Sequence, residues 1–146
     1  MQKKILFIFI SVFILLSGTS HAQYYSSGAD PASIRWEQID TERFRLVFPE
    51  EFSEAAIELS HYLDSVAPMI EATLDHRPRK IDILIHSHST YSNGFVSWAP
   101  RRIELYPNPS QGHHSTDWLK HLALHEYRHV VQIDKLRQGF TKYASW

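Results

Sequence analysis

Between Phe52 and Leu74 the apolar residues Phe52, Ala55, Ala56, Leu59, Leu63, Val66, Ile70 and Leu74 recur every three or four positions. That period marks one buried face of a helix. A helix of this length with a single apolar stripe must lay the stripe on another surface, and the flanking segments offer one. Ile34 and Trp36, then Phe44, Leu46 and Phe48, alternate in two runs on either side of Asp40-Thr41-Glu42-Arg43, which suits a hairpin with a four-residue loop. Beyond the helix, "RKIDILIH" alternates Ile81, Ile83 and Ile85 and reads as a strand of the same sheet. Pro49-Glu50-Glu51 supplies the helix start, with proline and acids in the first turn. Pro68 predicts a kink or break near Val66. His61 and Tyr62 read as surface or rim residues of this helix.

A loop containing Ser92-Asn93-Gly94 leads into "FVSW" and "RIELY", separated by Ala99-Pro100-Arg101 as a second hairpin. The loop "PNPSQGHH" follows. Ser115-Thr116-Asp117 then gives a cap and an acidic first turn for a helix running to about Leu136 and ended by Gly139. Strands and helices in this order predict an α+β fold.

The amino terminus predicts export. Lys3 and Lys4 precede an apolar run of 12 residues, Ile5 to Leu16, and the triplet Ser20-His21-Ala22 resembles a cleavage site. A membrane span needs about 20 apolar residues, so residues 1–22 read as a secretory signal rather than an anchor. Residues 23–32 read as a flexible leader and 33–146 as one domain. Without the signal the chain keeps 13 of its 15 basic residues against 16 acidic ones, and a basic footprint for nucleic acid is lacking. The chain has no cysteine, hence no disulfide and no thiolate ligand, and a hydrophobic core must stabilise it.

Within the last helix, "HLALHEYRHVVQ" sets Glu126 between His125 and His129. With 10 His in the chain, an H-E-x-x-H match can arise by chance, so its setting decides. Residues i and i+4 stand on one helical face about 6 Å apart along the axis, and both imidazoles can aim at one ion. Zinc accepts two such nitrogens at about 2.0–2.1 Å and keeps positions for a third protein ligand and a water. Glu126, turned toward that water, would take its proton as it attacks a carbonyl, then return it to the leaving amine. The competing reading is a solvent-facing helix rich in His and Glu. Leu122, Leu124, Val130, Val131 and Ile133 around the motif argue for a mostly buried helix, where two imidazoles and a carboxylate are costly without a partner. His121, one turn earlier, reads as a rim residue or an outer partner of the site.

The order hairpin, long helix, strand, "NGFVSW", strand and "DWLKHLALHEYRHVVQ" resembles the amino-terminal half of a gluzincin metallopeptidase domain, of thermolysin-like or peptidase MA-like type. More narrowly, "HEYRHVVQ" behind a signal peptide resembles exported proteins of Bacteroidetes-type bacteria in which such a domain precedes a TolB-like β-propeller. The likeness covers roughly Trp36 to Gly139 in layout, while its specific residues are His125, Glu126 and His129. It implies a zincin-like mixed sheet packed on helices, with the C-terminal subdomain absent from this chain. It further implies Zn2+ as cofactor, peptide or protein substrates, and a periplasmic, outer-membrane-associated or secreted location with association to the cell envelope. By the same analogy the edge strand ahead of the active helix pairs with extended substrate, placing Asn93, Gly94 and Phe95 along the cleft. A plain hairpin with Phe95 and Trp98 in the core is the alternative.

Gluzincins take a third ligand from a glutamate on a later helix, yet no Glu or His follows His129. Asp134, five positions on, is rotated off the ligand face and fits an outer partner that orients a ligand histidine. Either the chain is the front piece of a longer protein, which "GFTKYASW" at its end favours, or it is a naturally short product. Three functions follow: a zinc metallopeptidase, a non-catalytic envelope-binding or structural module retaining the fold, and a zinc hydrolase of other substrates. His86 and His88, two apart at a strand end with no nearby carboxylate in sequence, read as a chance pair. His113-His114 reads as a solvated loop pair, and Arg101, Arg102 and Arg128 as surface charge with an option on a substrate carboxylate.

Overall fold

The computed structural model describes residues 30–109 and 115–138, with the backbone alone for 115–117. Five strands form one mixed sheet: β1 (Trp36–Asp40), β2 (Phe44–Pro49), β3 (Ile81–Ile85), β4 (Ser92–Trp98) and β5 (Arg101–Pro107), in the order β1-β2-β3-β5-β4. β1 and β2 are antiparallel, β2–β3 and β3–β5 parallel, and β4–β5 antiparallel. Two helices, α1 (Ser53–Leu74) and α2 (Ser115–Leu136), pack on each other and on the sheet. This is the expected mixed sheet on helices in coarse outline.

One face of the sheet makes the core. Phe44, Leu46 and Phe48 of β2, Ile81, Ile83 and Ile85 of β3, and Ile103 and Leu105 of β5 are buried with Ala56, Leu59, Leu63 and Ala67 of α1 and Leu119, Leu122, Ala123, Tyr127, Val130 and Val131 of α2. Each fully buried leucine or isoleucine contributes roughly 1.5–3 kcal/mol. That sum explains why α1 continues as one helix through Pro68, where a kink or a break is expected from the sequence. A proline inside a helix costs about 3 kcal/mol. Pro68 is exposed, and the stripe on the other side, Leu59, Leu63, Ala67, is buried. The helix ends at Asp75 in the left-handed region (φ 46°), where the His76 amide bonds back to the Glu71 carbonyl at 3.0 Å.

Thr41 secures the first hairpin. Its hydroxyl accepts from the Arg43 and Phe44 amides at 3.3 and 3.1 Å and donates to Asp64 of α1 at 3.1 Å. The loop is shortened to Thr41–Arg43 as a result. Register then decides which side of β1 faces inward. Ile39 pairs with Leu46 and Trp36 with Pro49, so Ile39 shares the core face while Trp36 lies on the opposite one, 42% exposed. The alternation of Ile34 and Trp36 in the sequence does not by itself fix which face turns inward; the register does.

The second hairpin differs from expectation at its start. Ser92-Asn93-Gly94, a turn by composition, is the first part of β4. A Cβ built on Gly94 would stand 3.0 Å from Leu122 Cγ, Leu122 Cδ1 and Glu126 Cγ. The missing side chain is what lets α2 lie directly on the strand. β4 has one strand partner, β5, among the described residues, and so forms a sheet margin.

Candidate metal centre

His125 and His129 leave α2 one turn apart and turn toward each other. Their Nε2 atoms are 3.0 Å apart and their rings are nearly perpendicular, 87°, with centroids at 4.6 Å. Two nitrogens bound to one tetrahedral ion at about 2.0–2.1 Å stand roughly 3.3 Å apart. The observed pair therefore needs to open by only a few tenths of an ångström to fit such an ion. Gln132 Oε1 lies 3.3 Å from His129 Nδ1. An acceptor there favours the proton on Nδ1 and leaves the Nε2 lone pair for a ligand. His125 is exposed and His129 half-buried, so the pair opens outward.

Glu126 sits on the adjoining strip of the helix, 7% exposed, against β4 at Gly94. Burial lifts its carboxyl above the usual range, while the two imidazoles pull it the other way. A pair of facing imidazoles, a buried carboxylate and a sheet margin thus meet within one turn of α2. Among the described residues no group of three His, Cys, Asp or Glu side chains converges on a common metal position. The residues fit two protein positions of a zinc site.

The other expected residues are placed as follows. Gly94 faces the helix, whereas Phe95 faces away and stacks on Tyr106 at 6.3 Å, and Asn93 is exposed. Asp134 is not brought to the histidines: its Oδ2 is 3.0 Å from His76 Nε2 and its Oδ1 3.7 Å from Arg101. Gln132, not Asp134, is the outer partner of His129, and its i+3 spacing could have signalled this. His121 is exposed. The loop pair His113-His114 and Gly139 lie outside the described residues.

Two clusters had no local signal. Glu71 of α1 accepts from Tyr127 Oη at 2.6 Å and from Arg43 Nε and Nη2 at 2.9 and 3.3 Å. This fixes the rotation of α2 about its axis from the side opposite the histidines. Burial, followed by Glu71, drives the Tyr127 hydroxyl well above its ordinary range, so it stays a donor. On the outer face of the sheet, His86 is buried and turns to other partners than His88 does. Its Nδ1 lies 2.5 Å from Asp30 Oδ2 and its Nε2 3.4 Å from Glu104 Oε2, with Tyr106 stacked at 4.8 Å. The carboxylates, 56 residues before and 18 after it, are neighbours only in the fold. His88 instead meets Glu51 at 2.5 Å.

Comparison of the chain with family models, with curated proteins and with solved structures finds no match in any of the three.

Proposed function

We propose that the chain is a zincin-type, zinc-dependent peptidase domain, with His125 and His129 holding the ion and Glu126 serving as base. The observation that carries this reading is the pair of Nε2 atoms facing each other at 3.0 Å beside a buried carboxylate on the same turn. Zinc, when bound, supplies a Lewis acid for a carbonyl and a water of lowered pKa. The chain supplies the rest. Gln132 holds His129 in the ligand tautomer. Glu126, its carboxyl raised by burial above the usual range, would accept a proton from the attacking water and deliver it to the leaving amine. The edge of β4, unpaired among the described residues, would offer its backbone groups to an extended peptide, a mode that binds main chain with little sequence preference. Its closeness to Glu126 through Gly94 favours a peptide over other hydrolysable substrates.

Residues 1–22 support export of this domain to the cell envelope or beyond. Among the described residues no helix is long and apolar enough to cross a membrane. A second reading, an envelope-binding module that has lost hydrolysis, draws on one observation: no third ligand joins the histidine pair among the described residues.

Zinc content and peptide cleavage, measured on wild type, His125→Ala and Glu126→Gln, separate the readings. Wild type is expected to take about one zinc, and His125→Ala to weaken its binding by more than about 100-fold, the upper end for loss of an outer partner. Glu126→Gln should keep the zinc and lose cleavage. Equal zinc uptake by wild type and His125→Ala overturns the metal site; zinc without cleavage in wild type favours the binding module.

A further inference from the structure

Three arginines converge on the end of β4. The guanidinium carbons of Arg101 and Arg137 lie 6.0 and 5.5 Å from the centroid of the Trp98 ring. Arg79 lines the same cavity of about 420 Å³, with Asp134 and Gln138. Asp134 is the one carboxylate of this lining, and it is already engaged by His76 at 3.0 Å.

Arg101 is the group most in want of a partner. Its side chain is 17% exposed, and Nη1 donates to the carbonyls of Arg79 and Lys80, both at 3.1 Å. Nε and Nη2 are buried without a hydrogen-bond partner among the described residues, and Asp134 stands 3.7 Å from Nη2. Leaving donors of a buried cation unsatisfied is costly, and a second guanidinium on the same ring adds repulsion. Burial lowers the Arg101 pKa; Asp134 opposes this and Arg79 adds to it. An oxyanion resolves each of these deficits, because a carboxylate matches the fork of a guanidinium.

The cavity also has a defined place along β4. Gly94 faces Glu126, and Trp98 follows four residues later, about 13 Å at the ~3.3 Å rise of a strand. A peptide paired with the β4 edge advances at the same rise.

We propose that Arg79, Arg101 and Arg137 around Trp98 form a subsite for a carboxylate carried by an extended peptide, about four residues from the position that faces Glu126. As a substrate subsite this rests on the peptidase reading; as an anion pocket it does not, and the test keeps the two apart. The probes are capped eight-residue peptides, alanine and serine apart from one Glu near either end, beside counterparts carrying Gln. Binding is measured by calorimetry on the His125→Ala chain, so zinc uptake plays no part, and then repeated with Arg137→Gln, Arg101→Gln or Arg128→Gln added. Arg128 is an exposed arginine of α2 outside the cavity lining.

One Glu placement is expected to bind at least about ten-fold tighter than its Gln counterpart, the scale of a charge-assisted hydrogen bond. Arg137→Gln, a half-buried position at the end of the helix, and Arg101→Gln should both erase that preference, and Arg128→Gln should keep it. Circular dichroism confirms that each variant is folded, and Arg137→Gln decides the matter if Arg101→Gln is not. Equal binding of Glu and Gln peptides overturns the subsite, as does an Arg128→Gln loss matching that of Arg137→Gln. Inorganic phosphate that binds more tightly than either Glu peptide reassigns the cavity to a free oxyanion. A Glu preference here, with no zinc uptake in wild type, defeats the peptidase reading and leaves the pocket standing.

Discussion

Tyr127 and His129 leave the same helix two residues apart, yet they belong to opposite kinds of polar site. Tyr127 donates to Glu71 at 2.6 Å, and Glu71 is also gripped by both arms of Arg43, so the cluster is closed on itself. His129 faces His125 with two nitrogens at 3.0 Å and opens to solvent. A closed network in the core sets geometry, while an open set of lone pairs at the surface invites a ligand. α2 carries one on each side, so the closed cluster fixes the rotation of the helix that presents the histidine pair.

The contrast is most sharply tested by removing one member of each. Glu71→Ala leaves the buried Tyr127 hydroxyl and the half-buried Arg43 guanidinium without their shared acceptor, and about 3 kcal/mol of stability should be lost in urea unfolding. His125→Ala, an exposed change, should shift metal-free stability by less than about 0.5 kcal/mol. Similar losses from the two would erase the distinction between them. A smaller effect is expected at the seam of strand and helix. Gly94→Ala places a methyl 3.0 Å from Leu122 and Glu126, and it should cost about 1–3 kcal/mol while displacing Glu126. Unaltered cleavage and stability in that variant would show that the contact has no bearing on the base. A more modest change than that at Gly94 is Asp134→Asn, which weakens the tie between His76 and Arg101 for about 1 kcal/mol. Zinc affinity should not move, because Asp134 is turned away from the histidines; a ten-fold fall would return it to the site.

Much of this arrangement was legible in the residues. Ile81, Ile83 and Ile85, and the stripe from Ala56 to Ala67, carry their own period, and the H-E-x-x-H spacing brings two imidazoles together whatever the rest of the chain does. What escaped reading was decided at long range. Ser92-Asn93-Gly94 has the composition of a turn, and only the approach of α2 explains a glycine inside that strand. Trp36 alternates correctly but faces out, because the pairing of Ile39 with Leu46 chooses the inward side. Asp30, His86 and Glu104 are individually unremarkable, and the sheet alone makes them neighbours. The missing break at Pro68 is a matter of magnitude, one proline set against several buried side chains.

The seating of Gly94 beneath Glu126 also carries a lesson about timing. The two histidines need nothing beyond their own helical turn to meet, and such a turn forms within about a microsecond. The burial of Glu126 awaits β4, which forms a local hairpin with β5 and joins the rest of the sheet only through the parallel pairing of β5 with β3, a longer-range contact that is slower to form. If α2 holds zinc, a half-assembled molecule can capture metal before it owns a working base. Glu126 would then take its place beside the metal only once β4 is seated against the helix.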